Sequence, residues 1–77
     1  MNKQRRNQLA NIVSRLEEIR EELEALIEQE NEDYDKMPES LQESDRGIFM
    51  TECIDNMDNA YSNIDDAISS IQEITEE

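Results

Sequence analysis

Facing apolar residues in the two halves of this chain have numbers that total 83: Leu9 with Ile74, Ile12 with Ile71, Leu16 with Ala67, Ile19 with Ile64, Leu23 with Ala60 and Leu26 with Met57. Within each half these residues recur at alternating spacings of three and four, the a and d positions of a heptad. A constant total results when one heptad helix folds back antiparallel on another, because each a layer then meets a d layer. The pattern restricts the chain to an all-α fold, an antiparallel two-helix coiled-coil hairpin. It also sets a register, and with it a set of expected neighbours.

The remaining composition agrees. A chain of 77 residues suits one domain, 1–77, close to the size at which a single core is barely sufficient. One Gly, one Pro, no Trp and 36% charged residues fit long helices better than sheet. The 35% hydrophobic content, in so strict a period, is too much for simple disorder. The first helix is expected over about residues 3–35 with Asn2 as its N-cap, the turn over about 36–44 and the second helix over about 45–75. Pro38 disfavours helical geometry at Met37 and suits a first helical turn itself. Ser40 and Glu43 have the spacing of a capping box, and Ser44 before Asp45 offers a second cap. Tyr34, Met37, Leu41, Ile48 and Phe49 are expected to close an apolar plug over this end. Ala60 and Ala67 should face Leu23 and Leu16, large against small, and Glu30 should stand opposite Cys53 in the weakest layer.

Charge is unevenly placed. Residues 1–20 hold five cations (Lys3, Arg5, Arg6, Arg15, Arg20) against Glu17 and Glu18, a net of +3, whereas residues 21–77 carry −17 of the total of −14. A basic helix start opposes the macrodipole, but in the hairpin it lies beside Glu73, Glu76 and Glu77. Charge and register therefore agree.

One column out from the seam, the e positions pair Val13 with Ile68, Arg20 with Tyr61 and Ile27 with Ile54. On the other flank the g positions pair Arg15 with Ser70, Glu22 with Asn63 and Gln29 with Asn56. One edge is thus largely apolar and the other polar, and an exposed apolar stripe of this length marks an interface. The expectation is a homodimer, two hairpins joined through Val13, Arg20, Ile27, Ile54, Tyr61 and Ile68 into a four-helix bundle. A different protein could occupy the same stripe.

Catalysis is not expected. The chain has no histidine, the usual base near neutral pH. A cysteine facing Glu30 would have its thiolate disfavoured, the opposite of activation. No catalytic residues, metal site or cofactor are assigned: Glu-x-x-His pairs are absent, and Asp55, Asn56, Asp58 and Asn59 lack the glycine of a calcium loop. One cysteine, no apolar run of membrane-spanning length and no secretory signal suit a cytoplasmic protein with no membrane partner. Direct nucleic-acid binding is disfavoured by the net charge. The acidic surface is more informative. Glu52, Asp55, Asp58, Asp65, Asp66 and Glu73 on the second helix are expected on the face away from the seam, as are Glu17, Glu18, Glu21, Glu24, Glu28 and Glu32 on the first. Such rows suit a partner protein with a basic groove that otherwise holds a phosphate backbone.

The stretch Tyr34-Asp35-Lys36-Met37-Pro38-Glu39-Ser40-Leu41-Gln42-Glu43-Ser44-Asp45-Arg46-Gly47, followed by Ile54-Asp55-Asn56-Met57-Asp58-Asn59-Ala60, resembles a group of small acidic proteins encoded by bacteriophages and prophages. The Pro-Glu-Ser-Leu-Gln run is its distinctive part, and Met37 and Ile48-Phe49 depart from the group's pattern. The resemblance implies a phage accessory protein acting inside a bacterial host, and it carries no catalytic residue across. Taken with the acidic faces, the expectation is a non-enzymatic interaction module that binds and inhibits a host nucleic-acid-binding or defence protein. The alternative is a structural or assembly adaptor working through the apolar e stripe.

Overall fold

Two long helices lie side by side along a rod of 58 × 15 × 13 Å. The computed structural model describes residues 1–76, in which α1 spans Lys3–Asp35, α2 spans Glu39–Gln42 and α3 spans Asp45–Thr75. The packing is between α1 and α3, with α2 held against the start of α3. Glu77 lies outside the described residues, and with it the expected neighbourhood of Glu77 and the basic helix start.

Each long helix begins on a cap that its sequence supplies. The Asn2 side chain is extended at the backbone and accepts from the Arg5 N–H at 2.8 Å, satisfying one of the free donors of the first turn. Ser44 has two tasks: its hydroxyl donates to the Leu41 carbonyl and accepts from the Gly47 N–H at 3.4 Å. It thereby ties the end of α2 to the beginning of α3. Ser40 lies inside α2 instead of capping a helix, so the Ser40–Glu43 box is not used. The Gln42 amide donates to the Tyr34 carbonyl at 2.9 Å and fastens the turn back onto α1.

The turn also explains the single glycine. Gly47 is buried in the first turn of α3, and a Cβ there would come within 2.1 Å of the Gln42 carbonyl oxygen and 2.5 Å of the Leu41 carbonyl oxygen. Only a hydrogen fits at this crossing.

The seam differs from the expected one by a column. The buried apolar residues are Val13, Ile54 and Ile68, with exposures of 6%, 7% and 3%. Half-buried beside them are Leu9, Leu16, Arg20, Leu23 and Ile27 on α1, and Met50, Met57, Tyr61, Ile64 and Ile71 on α3. The helices therefore meet through columns a and e. The d residues Ile19 and Leu26 are 48% and 52% exposed, and Ala60 and Ala67 are exposed as well.

Side-chain size explains the choice. Both helices carry three adjacent apolar columns, and a two-helix contact encloses two of them. On α3 column e offers Ile54, Tyr61 and Ile68, whereas column d offers Cys53, Ala60 and Ala67. On α1 the exchange is nearly even, except that Arg20 replaces Ile19. Enclosing e gains more apolar area on α3 than it forfeits on α1. Arg20 is accommodated because its guanidinium leaves the seam and pairs with Asp65.

Four expectations are corrected by this shift. Val13, Arg20, Ile27, Ile54, Tyr61 and Ile68 form the hairpin's own interior, not an outward stripe. Glu30 lines a depression with Met50 and Phe49 instead of facing Cys53. Ala60 and Ala67 do not fill the seam opposite Leu23 and Leu16. The plug at the turn is open: Tyr34 and Met37 are half-buried, but Leu41, Ile48 and Phe49 are 44%, 50% and 64% exposed.

Candidate functional site

The seam leaves the hairpin with two unlike edges. In an antiparallel pair, the same flanking column of both helices falls on one side. Column d forms the first edge: Ile12, Ile19 and Leu26 on α1 beside Cys53, Ala60, Ala67 and Ile74 on α3. Ile12 and Cys53 are half-buried there, and Ile74 is 38% exposed. At the turn this edge ends in Asp33 and Arg46, which line one shallow depression of about 600 Å³ with Glu30, Lys36, Met37, Leu41, Phe49 and Met50. At the other end, Arg5 and Ile12 border a smaller depression with Met1, Gln8 and Leu9. The edge is an apolar ladder with charged ends.

Column b forms the opposite edge. It carries Glu17 and Glu24 on α1 and Asp58 and Asp65 on α3, with Arg20 reaching across to Asp65. Asp65 thus borders the seam instead of standing on the back of α3. The other acidic positions, Glu52, Asp55, Asp58, Asp66 and Glu73, are exposed, as are Glu18, Glu21, Glu24, Glu28 and Glu32 on α1; Glu17 is half-buried. The carboxylates line one edge and both backs, and the apolar ladder lies on the edge facing away from Asp65.

The residues that could do chemistry are dispersed. Cys53 is a free, half-buried thiol on the apolar edge. Among the described residues, no three acidic or cysteine side chains converge as a metal-binding group, and no helix is long and apolar enough to cross a membrane.

The exposed column that sequence reasoning placed inside is d, with Ile19 and Leu26 its largest members. The signal was present in the sequence, but only as a comparison of side-chain sizes on both helices at once. No family model matches this chain, and no match was found among curated proteins or solved structures.

Proposed function

We propose that this chain is a non-enzymatic protein-interaction module. It pairs with a second copy through the apolar d column to make a four-helix bundle, and presents its carboxylate rows to a cationic groove on another protein. The observation that carries this reading is the opposition of the edges: the surface that needs covering and the surface rich in charge are on opposite sides of one rod. Burying the first leaves the second outward. In the phage setting that the turn sequence suggests, the partner is a nucleic-acid-binding or defence protein in the cytosol of a bacterial host.

Charge mimicry makes a specific demand on salt. A groove that normally holds phosphates binds a carboxylate row through the same long-range attraction, which screening weakens over about 10 Å at 0.1 M salt. Immobilised protein should capture a nucleic-acid-binding protein from bacterial lysate at low salt and release it at high salt or on addition of duplex DNA. Asp58→Lys with Asp66→Lys should reduce that capture by on the order of tenfold or more, as expected for two reversed rim charges. Asp65 is left intact because it holds Arg20. Capture that ignores salt and DNA would contradict mimicry. If Ile19→Asp abolished capture while the charge changes did not, the module would instead be an assembly adaptor working through its apolar edge.

A further inference from the structure

Resting on the dimer reading above, we propose that the second copy seats on the d column with its rod reversed, α1 along α1 and α3 along α3, about a two-fold axis through Ile19 and Ala60. The surface of the single hairpin calls for a partner of its own kind of size. Its accessible area is 5851 Å², whereas a compact monomer of 9.1 kDa exposes about 4,900 Å². The difference is close to the roughly 800 Å² that each member of a stable complex buries.

The order of residues along the column favours a reversed copy. From one end of α1 to the other, column d reads Arg5, Ile12, Ile19, Leu26, Asp33. Laid against itself backwards, it puts Arg5 on Asp33, Ile12 on Leu26 and Ile19 on itself. Such a self-complementary patch is what a two-fold interface requires. On α3 the same operation sets Ala60 on itself, Ala67 on Cys53 and Arg46 on Ile74, so the two α3 helices approach closely over small residues at the centre of the column.

The ends of the rod agree. Residues 28–47 at the turn hold eight acids against Lys36 and Arg46, whereas residues 1–10 and 70–77 hold Lys3, Arg5 and Arg6 against Glu73, Glu76 and Glu77. A same-direction pair would set two strongly acidic turns side by side. Reversal sets each acidic turn beside the end where side-chain charges balance, which relieves that like-charge repulsion. It also brings Met1, 63% exposed, to the open depression around Met37, Leu41 and Phe49.

Cysteine cross-linking in a Cys53→Ser background tests the arrangement, with Arg15→Cys on the outer face as control. Ile19→Cys and Ala60→Cys should each form covalent dimers with themselves, at yields roughly tenfold or more above the control because pairing within a docked dimer is intramolecular. Both sites are exposed, and circular dichroism checks that each variant keeps its helices. If neither variant cross-links alone but a mixture of the two does, the copies run in the same direction and the proposal is overturned. A parent that sediments as a dimer with no cross-link in any combination removes column d as the interface. A folded monomeric parent overturns the dimer reading itself.

Discussion

Ile68→Asp should leave the chain unfolded at room temperature, whereas Ile19→Asp should keep its helices and lose self-association. The heptad pattern puts Ile19 in the seam and Ile68 on the outer e stripe, yet Ile68 is 3% exposed and Ile19 is 48% exposed. Removing a buried Ile side chain alone costs about 2–5 kcal/mol. An unpaired carboxylate in its place adds a desolvation penalty. A chain of this length, with Val13, Ile54 and Ile68 as its buried apolar residues, has little reserve against such a loss. At Ile19 the carboxylate can reach water, so the hairpin survives. Its melting temperature should lie lower and cease to depend on protein concentration, since a dimer's stability rises with concentration and a monomer's does not. Thermal melts at several concentrations, followed by circular dichroism, check both outcomes. The reverse ranking, a folded Ile68→Asp and an unfolded Ile19→Asp, would restore the a and d seam.

Gly47→Ala should destabilise the hairpin although alanine is the better helix former. Helix propensity alone would favour the substitution by about 1 kcal/mol. The added methyl, however, would meet the Gln42 and Leu41 carbonyl oxygens at 2.1 and 2.5 Å. Those atoms belong to backbone, so relief requires α2 to move away from α3. That movement disturbs the Ser44 bridge and the Gln42 bond to Tyr34 together. Overpacking of this kind typically costs 1–3 kcal/mol, and the backbone contact places Gly47 at or beyond the upper end of that range. The melting temperature should fall by about 12–24 °C for a domain of this size. A rise would mean that α2 is not seated on α3 at Gly47.

Much of this architecture is legible in the residues. Asn2 and Ser44 announce helix starts because their side chains can accept from a free N–H two or three residues on. Pro38 marks the turn because it disfavours helix at Met37. The heptad spacing announces an antiparallel pair because nothing else gives two helices mirrored apolar columns. Which two of three columns meet is a different kind of question. Periodicity treats Ala60 and Ile54 alike as apolar, but enclosing Ile54 removes far more area from water. The selection of e over d emerges only when α1 and α3 are weighed together. The open plug has a related cause: α2 is four residues long, too short to cover Ile48 and Phe49 once Gly47 has fixed where it crosses.

The candidate site was legible in character and misplaced in detail. One apolar edge and one polar edge follow from the sequence, and both exist in the structure. Their residues changed because moving the seam by one column moves the edge with it. Asp65 keeps an exposed side chain but takes on a partner for the same reason: once Arg20 lies in the seam, its guanidinium pairs with the acid at the border.

Sedimentation equilibrium of the wild-type protein at micromolar concentration, beside Ile19→Asp, decides whether two hairpins pair through column d. The wild type should sediment near twice the chain mass of 9.1 kDa and the variant at the chain mass. A well-folded wild-type monomer would contradict that pairing.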